Sequence, residues 1–462
     1  MKVLIIAAGK GSRLGSLTKK QPKPLIQLLG LSLIERVILT AKQAGVDEFL
    51  VVTGYQGDQI KERLGDGEKQ GVRIEYIENK EWERGNGISV LKAKNFLSEK
   101  FVLLMSDHIC DDRILKELVD YEPKNAVVLA VDRRAPLPGD TKVLEKEGMI
   151  VDIGKEIKES NGIDTGIFLC SPQIFSYLEA AVEKGKTELA HGIVKAAKNR
   201  DAETFDIAHI ESYVSKMRKE IPPWWTDIDT AEDLRKAKGM IMENASKNPS
   251  DALACYVHKP IENKLVAFIA THFKITPNQI SIIVNVLAYI VTALFFLGYL
   301  LSASILTFVV GIADGLDGKL ARVKLKFSKL GVLEHSFDLL YEFSWFIALS
   351  LHLFQETGRA LPLILCTFIL LFVTFYRNIY DQFGKTMGKS LDDAGNFERV
   401  FRRVAGRRNL YNIPILVSIL LEKPLYALIF ILFHSGITAI VYSARAMKHM
   451  SAMDHQTPSL KT

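Results

Sequence analysis

Two hydrophobic rhythms divide the chain. Up to about residue 240 the apolar runs are short, rich in β-branched residues and bounded by Gly, Asn, Asp or Pro. They predict strands at Val3–Ala7, Glu48–Thr53, Arg73–Ile77, Phe101–Met105, Ala126–Val131 and Gly166–Cys170. Between them, apolar positions recurring at three- and four-residue steps predict helices at Ser32–Ala44, Ile88–Phe96 and Ile114–Val119. Strand and helix in alternation give an α/β domain, a mostly parallel sheet with helices on both faces, whose ligands sit at the carboxyl ends of the strands. After Pro277 the apolar runs lengthen to about the 20 residues a helix needs to cross the hydrocarbon core. Six spans are expected, at Gln279–Tyr299, Leu301–Ala321, Val332–Leu353, Leu361–Tyr380, Leu410–Leu421 and Leu425–Tyr442, the fifth of them short.

Between these regions, Ala245–Asp251 is polar, contains a proline and reads as a linker. Leu253–Phe273 reads as an amphipathic helix lying in the headgroup region, with Lys259, Lys264 and Lys274 on or near its polar side. The expected organisation is therefore a head at 1–244, a linker at 245–251, a juxtamembrane helix at 252–276, a six-helix all-α membrane domain at 277–448 and a tail at 449–462.

Composition sharpens this. A 24% charged chain with a mean hydropathy of +0.12 has its apolar excess concentrated in one region, which excludes a purely soluble or disordered protein. The net charge of +6 matters less than its placement. Basic residues at Lys319–Lys329, Lys385–Arg408 and Arg445–Lys448 fall on one side of the spans, and the opposite loops carry few. By the positive-inside rule both termini and the head are cytoplasmic in a multi-pass protein of the cell membrane, and the basic clusters serve orientation or phosphate binding, not nucleic acid. Four scattered cysteines without metal spacing fit a reducing compartment.

Two segments carry candidate chemistry. The first is Leu4-Ile-Ile-Ala-Ala8-Gly9-Lys-Gly11-Ser-Arg13-Leu14, followed by Pro22-Lys23-Pro-Leu25. Ala8, Gly9 and Gly11 let backbone N–H groups approach a phosphate closely, and Arg13 and Lys23 supply cations for a triphosphate. Asp107 ends an apolar strand, and Asp227 follows a tryptophan pair; two carboxylates with phosphate oxygens suffice for Mg²⁺. Asp229 is expected to cap the helix beginning near Thr230, Asp111 and Asp112 to be a solvated helix start, and Asn86 to face the base. Lys155 and Lys158 are open between substrate phosphate and plain surface. The segment resembles the sugar-phosphate and alcohol-phosphate nucleotidylyltransferases, and the likeness extends through Val52-Thr-Gly-Tyr55, Gly85-Asn86-Gly87, Ser106-Asp107 and Trp225-Thr-Asp227-Ile-Asp229. It implies attack of a substrate phosphate on the α-phosphorus, with pyrophosphate leaving and Mg²⁺ neutralising charge.

The second segment is Asp314-Gly-Leu-Asp317-Gly318-Lys-Leu-Ala-Arg322, at the end of the second span, followed by Glu334-His-Ser-Phe-Asp338. Ionisable groups in a membrane helix cost about 2.5–3.5 kcal/mol each, so something must compensate them. Asp314 and Asp317 share one helix face and Glu334 and Asp338 another, a four-carboxylate cage for a hard cation. The segment resembles the CDP-alcohol phosphotransferases, whose signature is DxxDGxxAR and then GxxxDxxxD. The first half matches in full; in the second, Glu334 comes one position early, as after a one-residue deletion. The resemblance implies that Asp314, Asp317 and Glu334 hold metal (Mg²⁺, or Mn²⁺), that Asp338 is ligand or general base, and that Gly318 and Arg322 meet the nucleotide, with Glu342 a fallback ligand. It also implies a homodimer through the membrane helices.

The two resemblances together imply an enzyme that activates an alcohol phosphate with CTP and then consumes the CDP-alcohol. Inositol is the alcohol implied: CTP, inositol 1-phosphate and CDP-inositol are the expected partners, with Asp338→Asn abolishing only the second step. Open alternatives are transfer of the headgroup to a membrane lipid, and a single nucleotidylyltransferase on a structural anchor.

Overall fold

The computed structural model describes residues 1–212, 221–246, 253–328 and 334–456, without the side chains of Cys255, Glu334, His335 and residues 454–456. Most of the expected linker, and Lys329, Gly331 and Val332, lie outside the described residues. The chain divides into two compact units that meet at Glu243/Asn244.

The first unit contains strands β1 (Lys2–Ala7), β2 (Gln27–Leu28), β3 (Leu31–Ser32), β4 (Glu48–Thr53), β5 (Arg73–Glu78), β6 (Phe101–Met105), β7 (His108–Cys110), β8 (Val127–Asp132), β9 (Lys142–Lys146), β10 (Met149–Gly154), β11 (Gly162–Cys170), β12 (Ala202–Asp206) and β13 (Trp225–Asp227). Its helices are α1 (Leu33–Gln43), α2 (Gly57–Leu64), α3 (Asn86–Leu91), α4 (Asp112–Asp120), α5 (Ile174–Val182), α6 (Leu189–Lys198) and α7 (Ala231–Ala245). Nine strands form one sheet in the order β5-β4-β1-β6-β11-β8-β12-β10-β9. From β5 to β6 all pairings are parallel, as expected. The other half corrects the expectation of a mostly parallel sheet: β11 runs antiparallel to both β6 and β8, and β9 and β10 form an antiparallel pair. Strands β9, β10 and β12 went unforeseen because they are only partly buried, so their apolar positions are interrupted.

Alternation along β1 explains the two-sided cover. Val3, Ile5 and Ala7 pack with Ile34, Val37 and Ile38 of α1 and with Ile114 and Leu118 of α4. Leu4 and Ile6 face the other way, into a core with Val90 of α3, Leu178 of α5 and Ile193 of α6. Chain order reverses at β1, which has β4 on one side and β6 on the other, and this switch point opens the crevice for a ligand.

The second unit is helical: α8 (Lys259–His272), α9 (Pro277–Phe296), α10 (Leu300–Ala313), α11 (Leu316–Val323), α12 (Glu334–Thr357), α13 (Leu361–Met387), α14 (Asn396–Phe401), α15 (Arg408–Leu420) and α16 (Leu425–Gln456). Among the described residues five stretches are long and apolar enough to cross a membrane, α10 and α11 counting together as Leu300–Val323. The expected fifth span is different: α15 has 13 residues with Pro414 inside, about 20 Å at 1.5 Å per residue, short of the roughly 30 Å hydrocarbon core. Large apolar side chains such as Ile282, Ile283, Val286, Phe433 and Ile440 point outward, as a bilayer-facing surface requires. Inside, polar side chains join the helices: Trp345 Nε1 on α12 donates to the Ala288 carbonyl on α9 at 2.8 Å, and Thr292 and Ser344 are 2.7 Å apart. The second unit is thus a membrane-embedded helical domain.

Candidate active sites

In the first unit a cleft of about 660 Å³ opens over the carboxyl ends of β1 and β6. Gly11, at the turn after β1, has φ +65°, and a Cβ there would come within 2.6 Å of Lys23 Cβ, so glycine admits both the left-handed backbone and the lysine. Lys23 is brought in by the Pro22-Lys23-Pro24 turn and is 6% exposed. Its Nζ donates to Asp107 and, at 2.8 Å, to Asp229 Oδ1. Arg13 donates to the other Asp229 oxygen. His108 Nδ1 lies 2.9 Å from Asp107 Oδ1, and the ring stacks on Trp225 at 6.1 Å between centroids.

Burial alone would push the Asp107 carboxyl up, but the charges of Lys23 and His108 outweigh it and hold it well below its ordinary value. Burial would likewise lower Lys23, yet Asp107 and Asp229 raise it. Asp227 behaves differently. Burial raises its carboxyl, the charge of His108 offsets part of this, Asp229 and Asp107 add to the rise, and among the described residues the carboxylate has neither a hydrogen-bond nor an ion-pair partner. A carboxylate crowded by carboxylates and without a hydrogen bond of its own fits a divalent ion held jointly with Asp107. Asp164, beside Gly166, is pushed up to about 6 by burial, partly offset by the Gly166 N–H at 2.7 Å.

In the second unit Asp314 ends α10 and Asp317 lies in the first turn of α11. Arg408 Nη2 donates to Asp314 Oδ2 at 2.5 Å and the Tyr341 hydroxyl donates to Oδ1 at 2.9 Å. Asp317, 4% exposed, accepts from Ser281 on α9 and from the Gly318 N–H at 2.5 Å. Arg322 donates from Nε to the Ala245 carbonyl at 2.6 Å, and its Nη1 comes within 3.4 Å of where a Cβ on Gly318 would lie. Asp338 is half-buried on α12.

A Nucleotidyl transferase family model matches residues 2–244, and a CDP-alcohol phosphatidyltransferase model matches residues 274–393. The protein of Rubrobacter xylanophilus named "Bifunctional IPC transferase and DIPP synthase" is 31% identical over 336 residues, covering 71% of this chain and 72% of its own. Its namesake in Thermococcus kodakarensis is 31% identical over 335 residues, 71% of each chain. This chain belongs to the family of bifunctional IPC transferases and DIPP synthases. A solved inositol-1-phosphate CTP transferase from T. maritima is 29% identical and matches 52% of this chain and 94% of its own, with a TM-score of 0.45. Like its relatives, this bifunctional family member is a transferase with a nucleotidyl transferase domain and a CDP-alcohol phosphatidyltransferase domain. Enzymes with these two domains generally use divalent metals.

Against that family background, Gly9, Gly11, Lys23, Asn86, Asp107 and Asp227 all line one cleft. Ala8 is buried beneath it and Arg13 reaches Asp229 from its rim. Asp229 corrects the sequence reading: its carboxylate pairs with Lys23 and Arg13, while Thr230 caps α7, accepting the Asp233 N–H at 3.2 Å. Asn86 lines the cleft, but its side-chain oxygen accepts the Leu189 N–H at 2.8 Å and so fixes the start of α6. Lys155 lines the cleft as well. Sequence reasoning missed His108 and Asp164; the adjacency of His108 to Asp107 was the available signal, whereas Asp164 reaches the cleft only through the sheet pairing of β11.

The membrane motif is described only in part. Among the described residues no three His, Cys, Asp or Glu side chains gather as a metal cage. The Glu334 side chain lies outside the described residues. Glu342, the fallback ligand, is fully buried and paired to Arg377 on α13. Asp314 is paired to Arg408 and Asp317 accepts from Ser281, and the four-carboxylate cage as a whole, which needs the Glu334 side chain, lies outside the described residues. Oxygen-only donors on two helices, one already holding a cation in Arg408, remain the right chemistry for a hard divalent ion.

Proposed function

We propose that the first domain condenses CTP with inositol 1-phosphate to CDP-inositol and pyrophosphate. The second domain then transfers the inositol phosphate moiety to another inositol 1-phosphate and releases CMP. One observation carries this reading: a single chain holds both transferase domains and aligns over most of its length with relatives named for two such activities. Fusion makes sense when the first product is the second substrate.

In the cleft, the glycine turn at Ala8, Gly9 and Gly11 would cradle the triphosphate, and Lys23 and Arg13 would share their charge between phosphate oxygens and Asp107 or Asp229. Asn86 stands near the base. Asp107 and Asp227 would hold Mg²⁺, which when bound neutralises the phosphates and the departing pyrophosphate. In the membrane domain Asp314, Asp317, Glu334 and Asp338 would hold Mg²⁺ or Mn²⁺ against the CDP diphosphate, with Gly318 leaving room for it and Arg322 meeting its charge. Asp338 would take the proton of the attacking hydroxyl. The skew of Lys and Arg across the spans supports a cytoplasmic head and cytoplasmic termini. A homodimer through the membrane helices belongs to the same proposal.

The test is incubation of the full-length protein with CTP, Mg²⁺ and a panel of alcohol phosphates, followed by ³¹P NMR. The expected sequence is CDP-inositol, then a water-soluble phosphodiester with CMP. A product that partitions into organic solvent replaces the acceptor by a lipid, and a reaction that stops at CDP-inositol overturns the second activity.

A further inference from the structure

Asp314 has both carboxylate oxygens engaged before any ligand arrives. Arg408, at the start of α15, takes Oδ2 and Tyr341 takes Oδ1. Arg408 also donates to the Tyr341 hydroxyl and lies over its ring, 5.0 Å from the centroid. The Arg408 side chain is only 11% exposed, and its Nε is buried with no acceptor among the described residues. Leaving a guanidinium N–H unpaired in a buried place is costly, so what holds Arg408 there is the charge of Asp314, not complete hydrogen bonding. Asp317, three residues on, is held by a hydroxyl and a backbone N–H, both neutral. Asp314 is thus compensated by a full positive charge.

We propose that Arg408 is an internal counter-ion for Asp314. It stabilises that carboxylate when no metal is bound and competes with the divalent cation for it. This rests on the metal-site reading above. Two cations drawn to one carboxylate are linked, so removing one strengthens the other, and the loss of an adjacent charge tightens cation binding about tenfold or more. Arg408 is then a positioning residue: it holds the Asp314 carboxylate in place until the exchange.

The experiment is equilibrium Mn²⁺ binding to the purified full-length protein, without nucleotide, read by electron paramagnetic resonance, with thermal unfolding in EDTA and in saturating Mn²⁺. Asp317→Asn identifies the membrane site as the Mn²⁺ binding it removes. Arg408→Gln is expected to tighten that component about tenfold. It is also expected to lower Tm in EDTA, with most of the loss recovered in Mn²⁺. Tyr341→Phe, which keeps the charge but removes the shared hydroxyl, shifts both readouts in the same direction by less, and carries the test alone if Arg408→Gln does not fold. Unchanged or weaker Mn²⁺ affinity, with a Tm loss that Mn²⁺ does not recover, would overturn the counter-ion role and leave the metal site standing. Absence of any Asp317-dependent Mn²⁺ in the wild-type protein would overturn the metal site and the inference with it.

Discussion

The two units handle acidic side chains in opposite ways. In the cleft of the first unit the carboxylates come from segments far apart in sequence, Asp107 after β6 and Asp227 and Asp229 before α7, and one buried lysine gathers two of them. In the membrane domain Asp314 and Asp317 arrive together in a single motif, yet each is handed to a different partner, Arg408 or Ser281. Water explains the difference. An open cleft of about 660 Å³ screens carboxylates enough for three to crowd, and among the described residues leaves the Asp227 carboxylate without a hydrogen bond. In a helix bundle with hydrocarbon around it, each acid must be neutralised or hydrogen-bonded locally. Crowding suits an open, water-filled cleft; local pairing suits the interior of a helix bundle.

The largest effects should separate the two regions outright. Asp338→Asn is expected to cut CMP release from CDP-inositol by about 10²–10⁴, the usual worth of a general base, while CTP consumption stays within twofold. Its mirror, Asp107→Ala, should stop CTP consumption, with added CDP-inositol restoring the final product. Chromatography of CMP, CTP and product reads both, and loss of both activities in either folded variant would break the independence of the sites.

A smaller effect tests the gathering lysine. Lys23→Met leaves Asp107 and Asp229 facing each other without their shared cation. The expected loss in the first unit is about 3 kcal/mol, the low end for a broken buried pair, since Asp229 stays about a third exposed at 33%. Urea unfolding followed by tryptophan fluorescence measures it; a change below about 0.5 kcal/mol would reduce the lysine to a surface contact.

The smallest effect is a matter of pH. Asp164 titrates near 6 in the folded chain against about 3.9 unfolded. Between those values the folded state binds the extra proton, so this group makes the protein more stable as pH falls from about 6 toward 4. Asp107, held low, acts below that window: its contribution is present above about pH 4 and is lost as acid protonates it. Asp164→Asn should raise Tm at pH 7 and flatten the pH 4–6 limb. An unaltered limb would show that Asp164 is not the titrating group.

Much of the fold was legible along the chain because its signals are local. Buried parallel strands such as β1 and β4 are continuous apolar runs, helices α1 and α4 repeat every three to four residues, and the membrane helices announce themselves by length. Residue types also gave the chemistry: a glycine turn with Arg13 and Lys23, and an Asp-x-x-Asp-Gly helix end, point to phosphates and hard cations wherever they lie. What only the tertiary structure decided was pairing. Which acid meets Lys23, that Asp229 serves the cleft and not the helix it precedes, that His108 stacks on Trp225 against Asp107, and that Arg408 covers Asp314 across 94 residues of chain are all products of long-range packing. Sequence carries periodicity and chemical type; the choice of partner depends on distances and burial, which exist only once the sheet and the bundle have closed.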